Sequence, residues 1–223
     1  MPVPARCLVA RWTRHHRSRG DGGRGLRDEN PSTTVLSLAT VRAMSTAPRT
    51  SPILDAVRLR PLRVSDEQVV RAAHEAMADD HGFPFTLGLT PAMTWPQYPS
   101  MLEDYRQEIN LPDGIVAATY LVATVDDQIV GRASIRHTLN DALNRRGGHI
   151  GYAVLAQYRR RGYGTAILRH SLTIARAIGI DRILLTCHDT NLASRHIIEC
   201  CSGVLESLEP CTDGILTRRY WID

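Results

Sequence analysis

Hydrophobic and polar positions in the second half of the chain switch between the spacing of strands and that of helices. A nearly continuous apolar run over 148–155 predicts a strand, and apolar positions recurring every three to four residues over 167–178 predict a helix. The same criteria predict a strand over 182–187, a helix over 191–201 and two closing strands that end near Trp221. Strand and helix therefore alternate through this half.

The first half predicts three strands, two helices and one hairpin. Ser65-Asp66-Glu67-Gln68 fits a capping box and predicts a helix that runs to about Asp80. Asp126-Asp127-Gln128 separates two β-rich runs and predicts a hairpin turn. The strands are predicted over 57–62, 116–125 and 129–137, and the second helix over 100–110. This order predicts an α/β (α+β mixed) fold: a single mixed, mostly antiparallel twisted sheet flanked by helices.

Composition divides the chain into two parts. Residues 1–52 are rich in Arg, Gly, Ser, Thr and Pro without sustained periodicity, so we expect a disordered tail, followed by one domain over 53–223. Met44-Ser45-Thr46-Ala47 reads like a natural N-terminus, which favours a start codon assigned too early. A functionless tail, a transit peptide or a basic arm that contacts nucleic acid are the alternatives.

Charge and cysteine content exclude several classes of protein. Every basic residue is arginine, and residues 1–49 hold nine of these against three acids, so the remainder is close to neutral and offers no basic face for nucleic acid. No stretch reaches the ~20 apolar residues of a membrane span. The five cysteines lack the paired spacing of a zinc site, so we expect no metal and reduced thiols in a cytoplasmic protein.

Candidate chemistry is concentrated between the predicted strand at 148–155 and the helix that follows it. Residues 157–165 form an Arg/Gly turn that leads into a helix N-terminus, where unpaired N–H groups and the helix dipole favour a phosphate. Gly162 and Gly164 allow close approach of the backbone. A Walker A loop is excluded because the chain has no lysine, and a dinucleotide fingerprint is weak because Ile167 replaces its third small residue. An ordinary βα turn is the alternative.

Arg159-x-x-Gly162-x-Gly164, followed by Asn191-x-x-Ser194 and a predicted strand at 203–206, resembles the GNAT superfamily of N-acetyltransferases. The resemblance covers roughly residues 57–223. The segment that contains Arg136-His137-x-Leu139-Asn140 and Gly147-Gly148-His149-Ile150-Gly151-Tyr152 looks like a subgroup of predicted bacterial acetyltransferases.

The resemblance implies a binding site for acetyl-CoA. The loop would hold the pyrophosphate, the pantetheine arm would lie along the preceding strand like an added strand, and a backbone N–H near Val154 would donate to the thioester oxyanion. Asn191 would contact the cofactor from the opposite side of the cleft. The expected cofactor-binding residues are Ala153, Val154, Leu155, Arg159, Arg160, Arg161, Gly162, Tyr163, Gly164, Thr165, Asn191 and Ser194.

The proton-transfer groups are less defined than the cofactor loop. His149 titrates in the right range for a general base, and Tyr152 is its competitor; in a regular strand these two side chains point to opposite faces. A histidine satisfied by hydrogen bonds within the sheet is the alternative for His149. Many members of the family carry a tyrosine as general acid seven residues after the Asn, where this chain has Ile198. Tyr220, Tyr152 or water would then protonate the thiolate, or the thiolate would leave unassisted, which the ordinary thiol pKa of ~8.5 allows.

These features predict an acetyl-CoA-dependent N-acetyltransferase that transfers the acetyl group by direct attack of a primary amine on a small molecule or peptide. The alternative is a non-catalytic acyl-CoA-binding or regulatory GNAT domain. We expect a bacterial, cytoplasmic monomer or homodimer with no nucleic acid and no membrane partner. The aromatic residues of 83–98 either line the acceptor cleft or cover an edge of the core.

Overall fold

The patterns of strand and helix are realised in a computed structural model that describes residues 52–77, 84–210 and 214–223. The helices are α1 (Pro52–Ala56), α2 (Glu67–Ala76), α3 (Gln97–Arg106), α4 (Asp141–Arg145), α5 (Tyr163–Ala177) and α6 (Leu192–Cys200). The strands are β1 (Arg58–Arg60), β2 (Ala118–Val125), β3 (Gln128–Arg136), β4 (Ile150–Val154), β5 (Ile183–His188), β6 (Val204–Pro210) and β7 (Leu216–Ile222). No helix within the described ranges is long and apolar enough to cross a bilayer.

The strands form two antiparallel sheets. The first has the order β1-β2-β3-β4, and the second has the order β5-β7-β6. The predicted hairpin between β2 and β3 is confirmed: Asp126 and Asp127 both have positive φ, at 48° and 61°. Two such residues make the turn whose twist matches antiparallel strands, and Asp tolerates this conformation better than most residues.

The two sheets meet where β4 begins. Gly148 bridges Leu185, and the His149 N–H donates to the carbonyl of Leu184 at 2.7 Å. Gly148 has φ +62°, and a Cβ built on it would lie 2.4 Å from the Leu184 carbonyl oxygen, so only glycine fits at this contact. The mixed, mostly antiparallel fold with flanking helices is confirmed, with the sheet divided in two at this junction.

The faces of the first sheet are covered by different helices. On one side, Val70 of α2 and Tyr98 and Leu102 of α3 pack with Tyr120 and Val122 of β2. On the other side, the buried residues of α5 pack against both sheets together with Ile198 of α6; they are Ala166, Ile167, Leu168, Leu172 and Ala175. Side chains that alternate along β4 therefore face two different helical layers.

Several predicted boundaries differ from the observed ones. The capping box at Ser65 is wrong, because residues 64–66 form a 3₁₀ turn and the Asp66 carboxylate instead accepts from the Arg63 N–H at 2.7 Å, while pairing with Arg60. α2 ends at Ala76. α1 and α4 were not predicted, since helices of five residues carry too little periodicity to detect. The expected tail over 1–52 lies almost wholly outside the described residues.

Candidate functional site

The turn between β4 and α5 is short and conformationally specific. A 3₁₀ turn over Ala156–Tyr158 leads to Arg160, which has φ +64°, and then to Gly162, which caps α5 with φ +80°. The first N–H groups of an α-helix have no partner within the helix, so the amides that open α5 at Tyr163, Gly164 and Thr165 are directed out of its N-terminus. This end of α5 has the electrostatic character of an anion site.

The three arginines of the turn are exposed, and two of them fold back on the turn. Arg159 Nε donates to the Val154 carbonyl at 3.1 Å, so its guanidinium lies at the end of β4. Arg161 Nη2 donates to the Gln157 carbonyl at 3.2 Å and lies over the ring of Tyr158, 5.6 Å from its centroid. Positive charge is therefore held close to the first turn of α5.

Gly164 is buried and serves packing as well as the turn. A Cβ built on it would lie 2.7 Å from Ile197 Cδ1 and 3.7 Å from Val154 Cγ2. The glycine thus lets β4, α5 and α6 approach one another at the N-terminus of α5.

β4 has one paired edge and one unpaired edge. Leu155 N–H donates to the carbonyl of Val130 at 3.0 Å, towards β3. Backbone groups of alternate residues in an antiparallel strand point in opposite directions, so the N–H groups of Tyr152 and Val154 point away from β3. Past the junction at Gly148, no strand of the described ranges pairs with this second edge. An extended ligand can therefore add to β4 here.

Tyr152, Ser194 and Asn191 are brought together by a chain of hydrogen bonds. The Tyr152 hydroxyl lies 2.9 Å from Ser194 Oγ, which links β4 to α6. Asn191 Oδ1 accepts from the Ser194 N–H at 3.0 Å and so caps α6. Burial raises the pKa of Tyr152, which keeps its phenol protonated. Tyr152 is thus held as a neutral hydroxyl beside the open edge of β4.

His149 is tied into the junction between the sheets. It is buried, and its ring Nδ1 accepts a hydrogen bond from the Leu184 backbone N–H at 2.9 Å. The backbone N–H of His149 donates to the Leu184 carbonyl. Burial, and then the nearby Arg136 charge, lower the pKa of His149. The ring is therefore neutral, with its lone pair engaged by the backbone and its proton on Nε2. This arrangement favours the structural alternative for His149.

Three other polar residues considered from the sequence are engaged elsewhere. His137 Nε2 lies 2.9 Å from Thr119 Oγ1, and Asn140 caps α4 by accepting from the Leu143 N–H at 2.9 Å. The Tyr220 hydroxyl donates to Glu199 Oε1 at 3.1 Å. Ile198, at the position where the resemblance noted in the sequence would place a tyrosine, is fully buried in the core.

The aromatic residues of the 83–98 segment lie in the core. Phe85, Trp95 and Tyr98 are buried against α2, β2 and β3, and Phe83 lies outside the described residues. The Tyr98 hydroxyl accepts a hydrogen bond from the Leu87 N–H at 3.0 Å, which connects the two ends of the segment. These contacts favour the alternative in which the segment covers an edge of the core.

An open cavity of about 700 Å³ borders the start of the turn. Its lining includes Val69 and Ala72 from α2 with Met77 just after it, and Leu155, Gln157 and Arg159 from the end of β4 and the turn. Its apolar wall and single guanidinium suit the arm of a long ligand whose charged end lies at α5.

Two features of this region were missed from the sequence. Ile53 of α1 approaches the turn, with its Cδ1 3.2 Å from a Cβ built on Gly162. Arg132 and Arg136 lie in the middle and at the end of β3, where the apolar pattern of the strand conceals them. Only their two-residue alternation with Ser134 could have suggested that these side chains share one face.

Comparisons with known proteins agree with this fold. The sequence model of the acetyltransferase (GNAT) family matches residues 76–201. A search of curated protein sequences finds no match.

Three solved structures have the same fold at low sequence identity. The structure of yncA from Salmonella typhimurium with its cofactor acetyl-CoA has a TM-score of 0.53 at 14% identity, over 75% of this chain and 94% of that one. RimL, a ribosomal L7/L12 alpha-N-protein acetyltransferase in complex with coenzyme A, has a TM-score of 0.55 at 14% identity, over 77% of this chain and 96% of that one. Mutant forms of the spermidine/spermine N-acetyltransferase SpeG from Vibrio cholerae have a TM-score of 0.51 at 16% identity, over 75% of this chain and 94% of that one.

The fold, with the arginine-rich turn between β4 and α5, is thus that of an acetyltransferase scaffold. The match of the family model over more than half of the chain shows which one: the protein belongs to the acetyltransferase (GNAT) family.

Proposed function

We propose that this protein is an acetyl-CoA-dependent N-acetyltransferase that acts on a primary amine of a small molecule or peptide. The observation that carries this proposal is the edge of β4 that no described strand pairs, which ends at a turn where exposed arginines and first-turn amides form a site suited to an anion. An extended arm bound along β4 would end in a phosphate group at α5. Acetyl-CoA has this combination of parts.

The residues of the turn fit the donor. Arg159, Arg160 and Arg161, with the amides of Gly162 to Thr165, would neutralise the pyrophosphate by charge-assisted hydrogen bonds. The backbone of Ala153 to Leu155 would bind the pantetheine arm as an added strand. Ser194 and Asn191 at the start of α6 would contact it from the other side of the cleft.

Acetyl-CoA, when bound, supplies an acetyl thioester. The Val154 N–H, which points to the open edge of β4, would stabilise the oxyanion that forms when an amine attacks; losing such a donor costs ~3 kcal/mol in the transition state. Tyr152 holds a proton beside this edge, so we propose that it protonates the departing sulfur.

The attacking amine must lose a proton, and His149 is poorly arranged to take it directly, since the lone pair of its ring is engaged by Leu184. We propose that water accepts this proton and that His149 positions β4. Among the structural neighbours, one is named for spermidine and spermine and another for a ribosomal protein N-terminus, which supports an amine as the acceptor class.

The reducing cytoplasm is the location we propose, because all three cysteines of the described residues, Cys187, Cys200 and Cys201, are free thiols.

An assay of the full-length protein against a panel of amines, following release of free coenzyme A, tests the proposal. Transfer to at least one amine, with the N-acetyl product identified by mass spectrometry, is the expected result. Calorimetric binding of acetyl-CoA without turnover on any amine would instead favour the non-catalytic acyl-CoA-binding alternative. Failure to bind acetyl-CoA at all would reject both.

A further inference from the structure

The guanidinium groups of one buried and one half-buried arginine converge over one glycine on the face of the first sheet that is covered by α2 and α3. A Cβ built on Gly151 would lie 3.1 Å from Arg136 Nη1 and 3.3 Å from Arg132 Nη1. Gly151 is paired with Ser134, which stands between the two arginines on β3. The missing side chain at Gly151 leaves the space into which both guanidinium groups reach.

Neither arginine has an acidic partner among the residues that the structure describes. Arg132 is 6% exposed and donates through Nη2 to the Pro84 carbonyl at 3.0 Å, while Arg136 Nη1 lies 3.4 Å from the carbonyl oxygens of Gly147 and Gly148. No carboxylate of the described residues forms an ion pair with either group. Arginines are almost never buried in this way unless they are paired.

Two polar groups on the same face of β3 are unused. Arg132 Nε and Ser134 Oγ have no hydrogen-bond partner, although Ser134 is only 2% exposed. Among the described residues, the titratable groups around the two arginines are the phenols of Tyr98 and Tyr120 and the neutral imidazole of His149, none of which brings negative charge. Burial lowers the pKa of both guanidinium groups, that of Arg136 to about 10. Together these features are those of a binding site for an anion.

The location of this space fits the acceptor side of the proposed reaction. His149, Gly151 and Ala153 share the face of β4 opposite to Tyr152, so the space lies across the strand from the proposed proton donor. Three residues of strand separate Gly151 from Val154, a distance of about 10 Å. An acceptor whose oxyanion contacts the guanidinium groups, and whose amine lies a short linker away, would span most of this distance.

We propose that Arg132, Arg136 and Ser134 bind an oxyanion carried by the amine acceptor, so that the protein acetylates compact amines with a carboxylate or phosphate group rather than polyamines. This inference rests on the proposed N-acetyltransferase function. Paired guanidinium groups hold both kinds of oxyanion, because each presents several N–H donors in a planar fork.

Matched amines that differ only in the anionic group test it. Glycine, glycinamide and aminomethylphosphonate, and the same series built on β-alanine, would be compared by kcat/KM with the full-length protein. We expect the anionic members to exceed the amide by about tenfold or more, since charge-assisted hydrogen bonds are roughly twice as strong as neutral ones. The carboxylate and phosphonate arms decide which oxyanion is preferred. An amide used as well as its acid overturns the inference.

Variants assign the preference to these residues. Arg136→Met and Arg132→Met should each raise KM for the anionic amines by about tenfold and leave that for glycinamide within about twofold. Gly151→Ala keeps both charges and fills the space between them, so it should reduce the preference even if an arginine variant fails to fold. Arg176→Met, near the far end of α5, is the control and should leave the preference intact. An unchanged preference in all three site variants would overturn the inference.

A binding measurement separates this inference from the proposed function. Calorimetry with N-acetylglycine and N-acetylglycinamide needs no turnover. Binding of the acid alone, lost in Arg136→Met, would support the anion site even if no amine were acetylated. Equal binding of acid and amide, or binding of neither, would reject the site even if transfer to a neutral amine were observed.

Discussion

At the scale of single residues, His149 is a candidate catalytic base in the sequence but a structural hydrogen-bond acceptor in the fold. Its imidazole accepts a hydrogen bond from the Leu184 backbone and stands one residue before β4. A buried N–H without a partner is costly, so the ring contributes to stability as long as it stays neutral.

We therefore predict that His149→Ala lowers the free energy of unfolding by about 1–3 kcal/mol, because the Leu184 N–H loses its acceptor. His149→Asn, whose Oδ1 can replace Nδ1, should recover much of that loss. Chemical denaturation of the three proteins at pH 8 measures both effects. Equal stability of the alanine and asparagine variants would contradict this role.

The same ring predicts a pH dependence of stability. Since the pKa of His149 in the folded protein lies below its ordinary value near 6.5, the unfolded chain binds the proton more readily. The stabilisation is fully present above about pH 6.5 and is lost as the pH falls further. Melting temperatures measured from pH 8 to pH 5 should fall more steeply for wild type than for His149→Asn. Parallel curves would show that His149 does not contribute.

Tyr152 is the residue whose hydroxyl we expect to affect rate. Tyr152→Phe keeps the packing between β4 and α6 and removes the proton donor, so kcat should fall by ~10²-fold while acetyl-CoA affinity stays within a few-fold. Ser194→Ala, compared at saturating acetyl-CoA because we place Ser194 in the cofactor site, removes the partner of the hydroxyl and keeps the hydroxyl itself. If Tyr152→Phe kept the wild-type kcat, Tyr152 would not be the proton donor and the thiolate would depart without one.

At the scale of elements, the turn from β4 to α5 combines functions that separate elements could not supply. The strand ends with its carbonyl bonded to Arg159, and the helix begins at a left-handed Gly162 only a few residues later. Charge, open amides and an open strand edge therefore lie within one segment of the chain.

Replacing Arg159 and Arg161 together by alanine should weaken acetyl-CoA binding by roughly tenfold or more, since each charge-assisted phosphate contact is worth ~1.5–3 kcal/mol. Isothermal titration calorimetry measures the affinity. Arg176→Ala changes an arginine of the same helix some 20 Å away, at ~1.5 Å per residue, and should bind as wild type. An affinity that does not change in the double variant would reject the turn as the phosphate site.

At the scale of the whole molecule, the junction between the two sheets controls where β4 opens. Gly148 lets the chain cross close to the Leu184 backbone, and past this point the second edge of β4 is unpaired. The opening that we assign to the donor thus depends on a contact outside the turn.

Gly148→Ala should be strongly destabilising, by about 2–5 kcal/mol, because a left-handed alanine costs ~1–2 kcal/mol and its Cβ would overlap a backbone oxygen that cannot rotate away. Gly179→Ala has a similar backbone, with φ +92°, but open space around its Cβ, so it should cost only the conformational part. Thermal unfolding of both variants compares them. Similar losses of stability in both variants would mean that the close contact between Gly148 and the Leu184 backbone is not required.

Most of the element order was predictable from the sequence, because hydrophobic periodicity and turn residues are local properties. The strand–turn–helix unit at 148–178 and the hairpin at Asp126-Asp127 are examples in which the residues that form a structure are also neighbours in the chain. The arginines and glycines of the turn were visible for the same reason.

Tertiary structure decided the rest, since those features depend on residues that are distant in sequence. Which nitrogen of His149 is engaged depends on Leu184, 35 positions away, and the burial of Phe85 and Tyr98 depends on β2. The convergence of Arg132 and Arg136 over Gly151 follows from the register of β3 on β4, because a shift of one residue would send both side chains to the opposite face. The sequence by itself therefore determined the family scaffold and the turn that we propose binds the donor, and only the folded chain decided which polar groups of the described residues lie buried without a partner.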